Sequence, residues 1–312
     1  MSWRTADSVA WLDSIPGVQR NHPLARHTSF DIGGPAEWFV EVGRAEAIER
    51  LAEECRGRGI PCLLLGAGTN LLIADAGLEG LVVRCVNRDV HVLPGARIRA
   101  GAGLKMMRLA RFAAQHDLVG LQFAIGIPGT VGGAVYQDAG CWGRELREVL
   151  VEVEGWEPGR GHVRWRPGEL DLGYRTSAFR DGRLRGALIT SATVRLAPGD
   201  GAAARREMAR LTAERRRTQP IRTKNCGSVF KNPPGDSAGR LVEAAGLKGA
   251  REGGAQFSEL HANFIVNRGG ATARDVRALI ERARQAVCDR FGVELEPEVE
   301  LVGRFAGEDE RS

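Results

Sequence analysis

The six cysteines, at positions 55, 62, 85, 141, 226 and 288, include no C-x-x-C pair. That spacing suits reduced, buried thiols better than a disulfide framework or a zinc site. No stretch approaches the roughly 18 consecutive apolar residues needed to span a bilayer. The first residues, Met1 to Asp7, do not lead from a basic segment into an apolar one, so a cytoplasmic protein with no membrane partner is expected. Basic clusters are scarce as well. Arg215-Arg216-Arg217 is one short run in a chain of net charge +5, and a solvated helix end accounts for it more simply than a nucleic-acid partner. A modest positive charge instead suits a polyanionic small molecule such as a nucleotide. Also missing are G-x-G-x-x-G opening a helix and G-x-x-x-x-G-K-[ST], which disfavours both a nicotinamide-type dinucleotide fold and a P-loop. What remains is a chain of 312 residues, 43% hydrophobic and 27% charged, long enough to bury a substantial core and to form two or three domains.

Periodicity sketches the elements. Residues 1 to 21 read as a weakly amphipathic lead-in ending near Pro16-Gly17, and a Gly33-Gly34-Pro35 turn opens a strand over Glu37 to Val42. Ile48, Leu51, Ala52 and Cys55 recur at helical spacing, and a short buried strand follows over Cys62 to Leu65. Arg97 to Gly103 reads as a strand and turn before a helix whose inner face is Met106, Leu109, Ala110 and Ala113. Leu188 to Leu196 predicts a strand, Pro198 to Gly201 a linker, and Ala202 to Arg217 a helix. A strand is expected over His261 to Asn267, then a helix capped by Thr272 that carries Val276, Leu279, Ile280, Ala283 and Val287 and ends near Gly292. In the last strand, period-two alternation sets Glu294, Glu296, Glu298 and Glu300 opposite Val293, Leu295, Val299 and Leu301, which predicts four solvated carboxylates.

Four stretches carry chemistry. Asn225-Cys226-Gly227-Ser228-Val229-Phe230-Lys231-Asn232-Pro233 places a hydroxyl after a permissive glycine, then an ammonium and a carboxamide, so several donors can converge on one polar ligand; a plain strand end with a bulge is the alternative. Gly66-Ala67-Gly68-Thr69-Asn70 can present several N–H groups to a pyrophosphate, or be a tight turn. Seven glycines between Gly120 and Gly143 are too many for a packed helix or strand and suggest backbone laid against a large flat ligand. In Tyr174-Arg175-Thr176-Ser177 the guanidinium fork suits a carboxylate, and a structural arginine on a turn is the alternative.

Together with His27-Thr28, Gly33-Gly34-Pro35-Ala36, Leu65 to Asn70, Gly126-Ile127-Pro128-Gly129-Thr130-Val131-Gly132-Gly133 and Tyr174 to Phe179, the Gly227 to Pro233 segment resembles the UDP-N-acetylenolpyruvoylglucosamine reductase family over about residues 23 to 303. The resemblance implies an α+β chain: a two-lobed FAD-binding domain of the vanillyl-alcohol oxidase (PCMH) type, then an α+β substrate-binding domain. In residue numbers these are a lead-in over 1–22, lobes over 23–90 and 91–200, and a C-terminal domain over 201–312.

By the same resemblance, non-covalent FAD is held at Gly66, Ala67, Gly68, Thr69, Asn70 and Leu71, at Gly126, Ile127, Pro128, Gly129, Thr130, Gly132 and Gly133, and at Ala139 and Gly140. NADPH is the expected co-substrate and the enolpyruvyl ether of UDP-N-acetylglucosamine the expected substrate. Arg175, Ser228 and Glu298 take the catalytic roles, with Tyr174, Lys224, Lys231, Asn232, Arg240 and Asn263 against the substrate. Only Tyr136 and Tyr174 are tyrosines, and no tyrosine-bearing insertion fits before the last domain, so the family's shorter form, without that loop, is expected, as a monomer. Gln122, Asp138 and Glu300 stand where the family commonly has Glu, Asn and a basic residue; Asp138 is expected either to place a charge near the flavin run or to be solvated. Two rivals are another FAD-dependent oxidoreductase on the same fold, without the Ser228 and Glu298 constellation, and a non-catalytic nucleotide-sugar binding protein.

Overall fold

The computed structural model of the chain describes residues 3–305. It divides into two compact units that are not contiguous in sequence. The first contains the residues up to Arg20, Trp38–Ala67 and Gly80–Glu214; the second contains Asn21–Glu37, Gly68–Glu79 and the chain from Arg215 onward. Each has its own hydrophobic core, and both mix helices and strands, as an α+β chain should. Among the described residues no helix is long and apolar enough to cross a membrane.

The first unit is built on a five-stranded antiparallel sheet in the order Gly161–Trp165, Leu150–Glu157, Leu188–Arg195, Arg97–Gly101, Val90–Leu93. Alternation along these strands buries Ile98, Ala100, Val153, Val163, Trp165, Ala192 and Val194. The helices Ala45–Gly57 and Met106–Gln115 form where the 3.6-residue spacing predicts, burying Ile48, Ala52 and Cys55 on one and Met106, Leu109, Ala110 and Ala113 on the other. The glycine-rich run differs from expectation, because Val131–Tyr136 is a short helix. A Cβ on Gly132 would lie 2.9 Å from Ala102 Cβ, so glycine here lets the helix close onto the neighbouring chain. The lead-in likewise contains a helix, Ala6–Ser14, capped by Thr5.

Pro198 to Gly201 is tied down by hydrogen bonds to Asp117, from Gly199 N–H (2.8 Å) to its carbonyl and from Gly201 N–H (3.2 Å) to its carboxylate. The helix that follows, Gly201–Thr218, carries the chain from the first unit to the second.

In the second unit the long helix Ala273–Phe291 begins at a Thr272–Asp275 capping box and ends at Gly292 with φ 67°. Its buried stripe, Val276, Leu279, Ile280, Ala283 and Val287, joins Phe30, Leu72, Phe230 and Phe257 in one core. Asp75 accepts the N–H groups of Ala273 (2.7 Å) and Arg274 (3.1 Å), satisfying two donors that a helix N-terminus leaves free. Glu300–Val302 then runs parallel to Leu71–Ile73.

Two expected strands are shorter than their patterns. His261 to Phe264 is a turn closed by Phe264 N–H to His261 O at 3.0 Å, and only Ile265–Asn267 is strand. Between Val293 and Phe305 only Glu300–Val302 is regular strand, with Pro297 held to Phe230 as an isolated bridge. Proline has no N–H for a ladder, so the period-two rule fails there, and Glu298 is 9% exposed rather than solvated.

Gly155, in the middle of the large sheet, has a close neighbour. A Cβ on it would sit 1.9 Å from the Leu188 carbonyl oxygen and 3.0 Å from the Trp165 ring. Gly155→Ala should therefore cost about 3 kcal/mol, the upper range for overpacking. Urea unfolding checks this; a midpoint equal to that of the parent protein would contradict the packing described.

Candidate active site

In the second unit the backbone brings Ser228 and Glu298 together. Val229 N–H donates to Asn263 O (2.8 Å), Glu298 N–H donates to Val229 O (2.7 Å), and Lys231 N–H donates to Glu296 O (2.9 Å). Residues 228–231 are thereby laid antiparallel to 296–298, with Gly227 turning the chain at φ 84°. No hydrogen bond within the described residues engages the half-buried Ser228 hydroxyl. The Glu298 carboxylate is close enough that, after burial, its charge helps push the Cys226 thiol well above the ordinary range.

Asn70 clasps this element. Its Nδ2 donates to Glu298 O at 3.0 Å, and its carbonyl accepts Glu300 N–H at 2.9 Å. Asn263, 3% exposed, accepts Phe230 N–H and donates to Phe230 O, each at 2.9 Å. Its carboxamide holds the Ser228 segment. The cationic candidates sit in ion pairs: Lys231 Nζ with Glu296 (2.5 Å), Lys224 with Asp31, and Arg240 with Asp236. The Arg240 guanidinium beside Asp236 lowers that carboxyl to about 2. Asn232 Oδ1 accepts Ala238 N–H at 3.1 Å. Gly68, at φ 57°, closes against His27, where a Cβ would lie 2.1 Å from its carbonyl oxygen; only glycine fits there. Thr69 and Leu71 complete this unit's part of the loop.

In the first unit, Gly66 and Ala67 meet the Gly126 to Gly133 stretch. A Cβ on Gly66 would lie 2.6 Å from Thr130 Oγ1, so two motifs about 60 residues apart share one corner. Gly66, Ala67, Gly129 and Gly132 are half-buried, Pro128 and Gly133 exposed, and Ile127 and Thr130 buried. The result is an accessible wall of main chain with few side chains on it, which an extended nucleotide cofactor can approach closely. On that geometry these residues fit a bound flavin nucleotide. Not every glycine faces outward, though: at Gly126 a Cβ would strike the Trp142 ring at 2.4 Å, and at Gly140 it would meet Arg144 O at 2.5 Å. The protein fills those two spaces itself.

Arg175 lies in the left-handed region at φ 56°, uncommon for a bulky residue and a mark of a position held by its surroundings. It donates from Nη2 to Gly140 O at 3.0 Å, and its guanidinium stands 5.1 Å from the centre of the exposed Tyr174 ring. Ala139 is buried just before that carbonyl.

Comparison with known proteins gives the family. A family model for the UDP-N-acetylenolpyruvoylglucosamine reductase C-terminal domain matches residues 219–302, and one for an FAD binding domain matches residues 36–165. The UDP-N-acetylenolpyruvoylglucosamine reductase of Synechococcus sp. (strain JA-3-3Ab) is 45% identical over 302 residues, covering 96% of this chain and 95% of that protein. The chain belongs to the UDP-N-acetylenolpyruvoylglucosamine reductase family. Reductase 2 of Symbiobacterium thermophilum is also 45% identical, over 293 residues, covering 92% of this chain and 93% of that one. The crystal structure of the Thermus caldophilus reductase superposes with a TM-score of 0.78 at 36% identity, covering 92% of this chain and 99% of its own. The expected family and fold class, an FAD-binding domain followed by the family's C-terminal domain, are thus both met.

Of the departures from the family pattern, Asp138 has a structural explanation and Gln122 has none. Gln122 Oε1 accepts Gly120 N–H at 2.7 Å, a local turn bond. Asp138 is neither solvated nor unpaired: it is 1% exposed and accepts from Arg147 N–H (2.8 Å) and Nη1 (2.6 Å). Burial pushes its carboxyl above the ordinary carboxylate range, against the pull of Arg147. No sequence signal pointed to Arg147 as its partner, because the two meet only when the Gly140–Cys141 and Arg144–Glu145 strands pair.

His261 was also not legible as a participant. Its Nδ1 accepts Asn263 N–H at 3.2 Å, which requires the unprotonated nitrogen. Burial, with smaller opposing and assisting effects, holds its pKa below the ordinary 6.5. The unfolded chain therefore binds more protons below pH 6.5, and stability is lost as pH falls from there through the lower folded-state value. His261→Gln keeps an acceptor without titrating, and should flatten the loss of stability as pH falls below about 6.5. Thermal unfolding across that range checks it; an unchanged slope would remove His261 as the cause.

Proposed function

We propose that the chain is the NADPH-dependent flavoenzyme that reduces the enolpyruvyl ether of UDP-N-acetylglucosamine to UDP-N-acetylmuramate, and that it belongs to the shorter form of its family. The observation that carries the reading is the uncommitted Ser228 hydroxyl on a segment paired with the one bearing buried Glu298, in a chain 45% identical to curated reductases of that name. The linear division proposed from the sequence, lobes over 23–90 and 91–200 and a C-terminal domain over 201–312, is kept as an account of which stretches serve cofactor and substrate.

The residues from Gly66 to Leu71, Gly126 to Gly133 and Ala139-Gly140 would hold FAD. Bound there, FAD would supply the hydride chemistry that links NADPH to the terminal vinyl carbon of the ether. Addition there leaves negative charge on the other alkene carbon and on the adjoining carboxylate. Arg175 and Glu298 have the task of stabilising that enolic species, the guanidinium as a fork of donors and Glu298 as a hydrogen-bonding carboxyl. One well-aimed donor is worth on the order of 3 kcal/mol. Ser228 then gives its Oγ proton to the carbon that carries the charge, which completes the lactyl ether, and recovers a proton from solvent. Serine is a weak acid, but a carbanionic centre is a strong base, so placement matters more than resting acidity.

Lys224, Lys231, Asn232 and Arg240, with Tyr174, are proposed against the anionic substrate. Lys224, Lys231 and Arg240 are paired with carboxylates at the surface, and such surface pairs are weak enough for a diphosphate to displace. Asn263 serves the same end by fixing the Phe230 backbone. Residue 300 is Glu, so no cationic contact is assigned there.

Ser228→Ala separates the two half-reactions. Under anaerobic conditions, NADPH should bleach the flavin band of the variant nearly as fast as that of the parent. Return of the band on adding the enolpyruvyl substrate should slow by about a hundredfold or more. Equal losses in both steps would sink the role of Ser228, and a band that never returns in the parent would sink the substrate.

A further inference from the structure

The large sheet of the first unit has a second face, opposite buried Ile98, Ala100 and Val194, and it carries a cleft of about 590 Å³. Five arginines line it, Arg97, Arg99, Arg164, Arg166 and Arg195, against two glutamates, Glu152 and Glu154. Only Leu93 and Val151 are aliphatic, so the cleft offers charge rather than an apolar pocket. It shares no residue with the glycine-rich wall.

Part of this charge is already organised. Glu154, 6% exposed, pairs with Arg99, lies 3.3 Å from Arg164 Nε and accepts Ser191 Oγ–H at 2.7 Å. A buried carboxylate thus anchors two guanidiniums whose remaining N–H groups are left for another acceptor. Burial alone would raise this carboxyl, but hydrogen bonds from Arg99 and Ser191 and the charges of Arg99 and Arg164 hold it below its ordinary range. The other cations are not balanced. Arg195 is the direct cross-strand partner of Arg97, and like charges placed opposite each other destabilise a sheet unless something neutralises them. Arg97 spends Nε on Pro94 O (2.9 Å), and among the described residues no ion pair or hydrogen bond engages the Arg195 side chain. Arg166, just past the end of the strand two places from that of Arg195, is displaced from Arg195 by about two residues along the strands as well, which puts their backbones roughly 12 Å apart at ordinary strand and residue spacing.

Two centres of positive charge at that separation, presenting planar forks of donors, suit more than one phosphate group on one molecule. The cleft is bounded, whereas a nucleic-acid footprint is a continuous stripe. We propose that this cleft binds a small anion carrying two or more phosphate groups, of the class of inorganic pyrophosphate or a nucleoside diphosphate. The proposal does not depend on the reductase reading.

Isothermal titration of the flavin-loaded protein with inorganic pyrophosphate, at fixed ionic strength, tests it. Saturable binding is expected, weakened about tenfold in Arg195→Ala, the equivalent of one charged hydrogen bond. It should weaken again in Arg195→Ala with Arg166→Ala and stay unchanged in Arg217→Ala, a cation on the separate Gly201–Thr218 helix. ADP distinguishes the sources. Equal affinity with the same sensitivity to Arg195→Ala identifies the phosphates alone as what is recognised, and tighter binding with that sensitivity identifies a nucleotide. No saturable binding, binding indifferent to Arg195 and Arg166, or an equal loss in Arg217→Ala overturns the site.

Discussion

The pairing of residues 228–231 with 296–298 is the constraint from which the second unit's chemistry follows. Two main-chain bonds, Glu298 N–H to Val229 O and Lys231 N–H to Glu296 O, bring a hydroxyl and a carboxylate about 70 residues apart onto one element. The arrangement is held from both sides. Asn263 saturates Phe230 with a reciprocal pair of bonds, and Asn70 does the corresponding work on the backbone of Glu298 and Glu300. Buried amides satisfied in this way resist displacement, since breaking one bond leaves a desolvated polar group behind. Rigid support of this kind is what a proton donor needs when its placement, rather than its acidity, sets its usefulness.

The first unit reaches a similar end by omitting side chains. Thr130 occupies the space a Cβ on Gly66 would need, and Ala102 the space beside Gly132. The main chain of these motifs can therefore fold tightly while a wall of it stays accessible. Arg175, held at a positive φ and bonded to Gly140 O, depends on the same hairpin that Asp138 and Arg147 close at its base. The buried Asp138 carboxylate is an internal charge with its partner in place. Replacing an amide by a carboxylate here is explained by the nearby guanidinium, because a buried charge is tolerable only when paired.

Much of the fold was legible because its elements are locally self-consistent. The helix from Thr272 to Gly292 carries a cap, an apolar stripe and a left-handed stop, and those signals depend on nothing distant. The Ala45–Gly57, Met106–Gln115 and Gly201–Thr218 helices were legible from their apolar stripes alone. Legibility failed where main-chain pairing came from far away. His261 to Phe264 has the alternation of a strand but is a turn, and Glu298 belongs to a run of alternating glutamates but is buried, since Pro297 interrupts the ladder and Phe230 replaces it as the local partner.

The residues by themselves determined the glycine-rich stretches and the family resemblance, and through that resemblance the α+β class and the candidates Arg175, Ser228 and Glu298, because motif order is a property of neighbours along the chain. Only the tertiary structure decided which glycines face outward and which are filled by Trp142 or Arg144, that Asp138 has Arg147, and that Asn70 clasps Glu298 from 228 positions away. It also decided that four arginines from three strands, with Arg166 just past the end of one of them, share one cleft. Contacts of this kind depend on strand register and crossing, which one chain's local pattern does not encode.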